Sequence, residues 1–333
     1  MLGETVSVLV ALSWTLCALF FEYAGKRIGS TNLNLVRLLF AFVMLGVTLF
    51  IMGGSFFPRF ADIRTWGWMG LSGMVGFVLG DYFLFYSYML ITARFSQLIM
   101  TLAPPFAALS GWVLLEERLS FPAILGMAVT LAGIAISIYS KTPAESAKTP
   151  ESGTGSGTGH LRLALPLKGV IFAVIGAFGQ GVGIVLSKEG MMAYQEALNV
   201  SAGVAGEAAS TAAGNPLYVP FAATQMRIIT GIFIYIGLIA FTAGLKQFFR
   251  AWKNIKGMRA ALYGSVFGPF LGVSLSLMAV RYTNSAIAST IMATVPILIL
   301  IPDKFIFKRQ VTPRQVLGAV ISVAGVAMFF IKF

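Results

Sequence analysis

Ten apolar stretches run through the chain, at roughly 5–23, 34–52, 66–88, 94–115, 121–139, 169–187, 222–243, 260–280, 284–301 and 315–331, with polar residues gathered between them. Each approaches the ~20 residues an α-helix needs to cross the hydrocarbon core. The short alternating segments of a membrane barrel are absent. The pattern predicts an all-α polytopic membrane protein with ten transmembrane helices.

The pattern also occurs twice. Moved forward by a constant 192 positions, residues 67–138 land on a second stretch ending near Phe330. Gly76 falls on Gly268, Gly80 on Gly272, Pro104 on Pro296, Gly126 on Gly318 and Gly133 on Gly325. A fixed offset held over three apolar segments reads as internal duplication, which in a membrane protein points to a transporter. Residues 1–139 form the first five-helix repeat and 168–333 the second. Residues 140–167, rich in Ser, Thr, Gly and Pro, read as a flexible linker. An odd number of spans per half requires the repeats to be inverted relative to each other. The second repeat carries an insert at 191–220, Ala-rich and too weakly apolar to span, which reads as a surface helix or a loop.

Composition narrows the chemistry. Of 333 residues, 57% are hydrophobic and 11% charged, against about 25% charged in soluble domains; the mean hydropathy is +0.85. Cys17 and His160 are the only residues of their types, so no metal site or cofactor is expected and a disulfide within the chain is excluded. No Walker loop or HExxH helix is present. An aspartyl intramembrane protease would need a second buried Asp and a glycine at Val78, so an intramembrane enzyme is a remote alternative. The net charge of +12 lies in loops between apolar runs, which suits topology signals and anionic lipid headgroups rather than nucleic acid. Loops after the odd-numbered segments hold 16 Lys and Arg, against 6 on the other side. Charge alone thus places both termini outside.

A few residues stand out within the apolar runs. Asp81, in Gly80-Asp81-Tyr82-Phe83, is the one carboxylate well inside a run, where insertion costs about 2.5–3.5 kcal/mol unless offset. Arg37 and Arg227 are the intramembrane cations able to offset it. A structural ion pair and a substrate- or proton-coupling site are both open readings for Asp81. Gln97, Thr101, Gln180 and Asn284 are the other interior polar groups. Arg94, Gln97, Thr101 and Pro104 share one helical face by spacing. Together they suggest a modestly polar cavity. Pro104, Pro105 and Pro296, at matching positions near mid-span, break or kink their helices. Gly264, Gly268 and Gly272, like Gly73, Gly76 and Gly80, mark close helix packing. Trp14, Trp66, Trp112 and Tyr23 read mostly as interface anchors.

The chain resembles the drug/metabolite transporter superfamily in its EamA-like branch. The residues that carry the resemblance are Trp14, Arg37, Arg227, Pro105, the run Leu115-Glu116-Glu117-Arg118-Leu119-Ser120, Gly126 and Ala132-Gly133. The resemblance implies ten helices in two repeats around a central cavity, and secondary transport, often export, of a small metabolite, amino acid or drug at the bacterial inner membrane. It also implies cytoplasmic termini, against the charge count. The acidic turn of repeat one becomes Lys308-Arg309 in repeat two, so only the first half keeps that pattern. The first-helix Glu of proton-coupled four-helix relatives has no counterpart except Glu22, at the helix end. A lipid or polyprenyl-phosphate flippase is the rival reading within transport.

Overall fold

Backbone polar groups in hydrocarbon must find partners within the chain, and helices achieve this segment by segment. The structure, a computed structural model, describes residues 2–116, 120–141, 161–163, 165–205, 212, 214, 215, 217–242, 244–273, 275, 276, 279 and 291–328. The first half contains α1 (Leu2–Ile28), α2 (Ser30–Gly53), α3 (Ile63–Gly73), α4 (Asp81–Ile99), α5 (Ala103–Leu115) and α6 (Phe121–Ile138). The second contains α7 (Leu167–Ala205), α8 (Tyr218–Phe241), α9 (Leu245–Trp252), α10 (Ile255–Ser265), α11 (Val295–Leu298), α12 (Leu300–Phe305) and α13 (Pro313–Met328). Two three-residue strands, Tyr139–Lys141 and Leu161–Leu163, pair antiparallel across the ends of the linker.

The duplication reaches single backbone features. α3 and α10 start and stop 192 residues apart, and each runs on into a π-helical turn, Met74–Gly80 and Val266–Gly272. Their N-caps correspond too: the Thr65 amide donates to Asp62 Oδ1 at 2.8 Å, and the Gly257 amide to Asn254 Oδ1 at 3.0 Å. These side chains satisfy donors that the first helical turn leaves open. Thr65 holds the Asp62 carboxyl below the usual carboxylate range. Glu116 and Lys308, again 192 apart, both take a left-handed backbone with φ of 54° and 52°.

The closest contact between the halves is between α6 and α13. Thr130 Oγ1 donates to the Ser322 carbonyl at 3.4 Å, and Ser322 Oγ returns a bond to the Thr130 carbonyl at 3.4 Å. Gly133 packs on the Gly318 backbone and Gly325 on that of Gly126. Numbers rise on one helix as they fall on the other, so the two are antiparallel. The offset of 192 converts each of these pairs into the other. Small residues permit the approach, which in lipid must come from packing rather than from a hydrophobic drive.

The first helix of each half packs mainly on the other half: α1 on α10 and its π-turn, α7 on α3, α4 and the first π-turn. At this second interface Gly76 meets Gly183, and Gly80 meets Gly176 and Gly179, backbone against backbone. α7 has 39 residues, roughly 58 Å at 1.5 Å per residue. Its second half is the start of the insert, helical through Ala205 and continuous with segment 6. There Tyr194 and Leu198 are buried, and Tyr194 Oη donates to the Arg59 carbonyl at 2.7 Å.

Among the described residues, six helices are long and apolar enough to cross a membrane. One of them, Ile63–Leu114, has 52 residues and contains a non-helical residue, Thr92, at φ 69° and ψ 160°. Ser87 Oγ donates to Ser96 Oγ at 2.7 Å, and Gln97 Nε2 to Tyr88 Oη at 2.5 Å. Residues nine apart on a straight helix sit about 13 Å apart along the axis, so the chain doubles back at Thr92. α13, at 16 residues, is shorter than the others, and segment 9 lies partly outside the described residues.

Candidate functional site

Asp81 directly follows the first π-turn, where the tight Gly80–α7 contact sets the backbone. Its carboxylate is buried and fully engaged. Arg37 Nη2 donates to Oδ2 in a salt bridge whose two side chains are each 6% exposed. Gln180 Nε2, from α7, donates to Oδ1 at 2.5 Å and to the Gly76 carbonyl at 3.3 Å. Arg37 is oriented in turn by Asn34, whose Oδ1 accepts from Arg37 Nε at 3.2 Å. The Arg37 guanidinium also lies 4.8 Å from the Phe85 ring centre and 5.6 Å from that of Phe77.

These groups face a cavity of about 260 Å³ shared by the two halves. Asp81, Arg37, Gln97 and Gln180 line it, together with aromatic and apolar residues that include Trp14, Phe21, Phe77, Phe85 and Tyr88. Gln97 reaches it through its bond to the buried Tyr88 hydroxyl. Arg227 lies just behind the wall, its guanidinium 4.3 Å from the Phe77 ring centre, while its neighbours Thr224 and Ile228 line the cavity.

Several residues singled out in the sequence sit elsewhere. Thr101 turns its hydroxyl back to the Leu98 carbonyl at 2.6 Å. Arg94 points away, donating to the Gln310 carbonyl at 3.1 Å and lying 3.3 Å from Asp303. The shared face expected for Arg94, Gln97, Thr101 and Pro104 therefore divides. The 3₁₀ turn Met100–Leu102 breaks the 3.6-residue period between Gln97 and Thr101, and Arg94, just after the Thr92 reversal, is drawn off by Asp303 and the Gln310 carbonyl. Pro104 and Pro105 lie in the first turn of α5, and Pro296 in that of α11. There a proline removes a donor that has no helical partner anyway, so these prolines begin a helical segment rather than kink one. Trp14, read as an interface anchor, is a cavity wall against Gly272. Asn284 lies outside the described residues.

Sequence reasoning passed over Asn34, a polar residue four positions into α2 with no charge to flag it. It also passed over a second ionic cluster. Glu22 Oε1 accepts from Lys26 Nζ at 2.5 Å and from Arg309 Nη2 at 2.6 Å, while Glu22 Oε2 accepts from the Ala93 amide at 2.9 Å. Arg309 Nη1 donates to Asp303 Oδ1 at 2.8 Å. The cluster ties the end of α1, the Thr92 reversal and the end of α12 together. A more open groove of about 670 Å³ lies at the ends of α1, α2 and α8, with Arg27 and Arg250 on its rim.

Duplicated helical halves around a largely apolar cavity with a buried ion pair in its wall fit a polytopic membrane transporter. The EamA-like transporter family matches residues 1–139 and 208–331, and the chain belongs to that family, within the drug/metabolite transporter superfamily. The second match begins after the linker and the whole of α7. No curated protein matches the chain. Among solved structures, one crystal structure of a protein matches 98% of this chain and 95% of its own at 15% identity, with a TM-score of 0.52; that likeness is one of fold.

Proposed function

We propose that the protein is a secondary active transporter that moves a small metabolite, amino acid or drug-like molecule through the cavity between its repeats. One observation carries the reading. The buried carboxylate of Asp81, in repeat one, is held jointly by Arg37 of its own repeat and Gln180 of the other, at the wall of a cavity both repeats line. A charge on a transmembrane helix is a functional group by default, and this one lies where relative motion of the halves would alter its partners.

In this reading the chain has ten spans in two inverted five-helix repeats. The reversal at Thr92 counts Ile63–Leu114 as two spans, and the reciprocal α6–α13 contact supports the inversion. The membrane is the bacterial inner membrane, and protons on Asp81 are the coupling ion. The test is a proteoliposome assay with an imposed pH gradient and a mixed load of amino acids, nucleosides and cationic drugs, with released compounds identified by mass. Gradient-driven flux that Asp81→Asn abolishes, with the variant still folded and inserted, is the expected result. Full flux in that variant would return Asp81 to a packing role.

The open groove favours a second reading, a lipid or polyprenyl-phosphate flippase, because Arg27 and Arg250 would suit an anionic headgroup at a helix-end surface. Flipping of a fluorescent anionic lipid in the same vesicles, without soluble flux, would select it.

A further inference from the structure

Charges around the cavity do not balance. Arg37 and Asp81 satisfy each other, and the two Asp81 oxygens are taken by Arg37 and Gln180. Arg227 remains. Among the described residues no hydrogen bond or ion pair reaches it, and its Nε is buried without a partner. The Phe77 ring at 4.3 Å meets the guanidinium as a π-face, which attracts the charge but accepts none of its in-plane N–H groups.

Comparison of the two repeats explains the vacancy. Arg37 and Arg227 are equivalent at an offset of 190, which places Thr224 opposite Asn34. Asn34 accepts from Arg37 Nε, whereas Thr224 turns its hydroxyl to the Pro220 carbonyl at 2.8 Å. Asp81 corresponds through the 192 offset to Val273. Repeat two therefore repeats the cation and omits both of its acceptors. An unsatisfied buried donor is costly and rare, and here the neighbouring residues Thr224, Ile228 and Phe77 all open onto the cavity.

We infer that Arg227 is the anchor for a small organic monoanion, a carboxylate on an apolar or aromatic body, which supplies from the substrate the acceptors that repeat two lacks. This inference rests on the transport reading above and names its substrate class. One negative charge neutralises the site, since Arg37 and Asp81 already cancel. A carboxylate matches the planar guanidinium fork with two parallel bonds. The Trp14, Phe21 and Phe85 walls suit an apolar body, and about 260 Å³ is below the usual range for drug-sized ligands.

Phenylacetate, phenylacetamide and phenethylamine test this with one body and three charges. Binding to purified full-length protein is followed by calorimetry, and uptake by proteoliposome flux. We expect phenylacetate to bind at least tenfold more tightly than the amide. Arg227→Gln should remove that preference by weakening acid binding far more than amide binding, and Arg227→Lys should keep part of it. Equal affinity for acid and amide, no binding of the acid, or an intact preference in Arg227→Gln would each overturn the inference. Should Arg227→Gln fail to fold, a reduced preference in Arg227→Lys supports the inference and its full retention overturns it. Amine or amide transport without acid transport would sink the anion assignment and leave the transporter reading standing. Absence of gradient-driven flux for the mixed load would sink the transporter reading itself.

Discussion

Breaking the Arg37–Asp81 pair separates what the charge does for folding from what it does for transport. Both side chains are 6% exposed, so neither ion can recover its hydration when the other is lost. Removing one member of a buried pair costs about 3–5 kcal/mol, whereas replacing both by apolar residues is often close to neutral. Asp81→Ala strands Arg37 with only the neutral Asn34 as acceptor, and leaves Gln180 Nε2 with only its 3.3 Å bond to the Gly76 carbonyl, so its cost should fall at the upper end. Arg37→Met leaves the carboxylate with Gln180 and with the field of Arg227, so it should cost less. Arg37→Met combined with Asp81→Ala should be more stable than Asp81→Ala alone.

Thermal unfolding of the purified variants in one detergent measures the order, and a double-mutant cycle gives the coupling. The double variant should regain stability and still fail to transport, because neither charge is restored. If its loss equals the sum of the two single losses, the pair is uncoupled and the energetic account is wrong. If it transports, the charge has no role beyond packing.

Gly133→Ala and Gly325→Ala should each cost about 1–3 kcal/mol, the usual range for an overpacked contact. The added Cβ would sit 2.4 Å from the Ser322 amide nitrogen in the first case and 2.5 Å from that of Thr130 in the second. Because the two sites are equivalent, their melting temperatures should fall together; a drop in only one would refute the reciprocal packing. Asp303→Ala should cost about 3 kcal/mol by stranding the largely buried Arg94, read by the same assay, and an unchanged melting temperature would show the contact to be idle. A reporter fused after Phe333 should read outside the cytoplasm if the bias of 16 to 6 cations sets topology, and activity confined to the cytoplasm would overturn that orientation.

The duplication was legible in sequence because packing constrains residue type wherever helices nearly touch. The glycines at α6 and α13 and at the π-turns repeat for that reason, and so do the cap positions Asp62 and Asn254. The reversal at Thr92 was not legible in its geometry. Ile91-Thr92-Ala93-Arg94 holds no Gly or Pro, although Thr92 adopts a positive φ that L side chains rarely take. Helical spacing grouped Arg94 with Gln97, which the structure separates because Asp303 and Gln310, from the far end of the chain, draw Arg94 away. Trp14 was misread because an aromatic residue at a cavity wall and one at a lipid interface look alike in sequence. The Glu22–Arg309 contact spans 287 residues, and no local pattern carries it.

Departures from the repeat are more informative about chemistry than the repeat itself. Two halves that pack alike require the same small residues twice, and that need ends at the helix contacts. Gly76 and Gly80 recur as Gly268 and Gly272, and both π-turns occupy the same seven positions. The residue directly after the turn does not recur: Asp81 in one half, Val273 in the other. An acid there gains nothing from the symmetric packing that its apolar counterpart lacks, and it carries a desolvation cost that Val273 does not. Asn34 and Thr224 differ in the same way beside equivalent arginines. The differences thus fall around one cavity, on the side chains that decide which of its charges are satisfied from within the protein and which are left for a ligand.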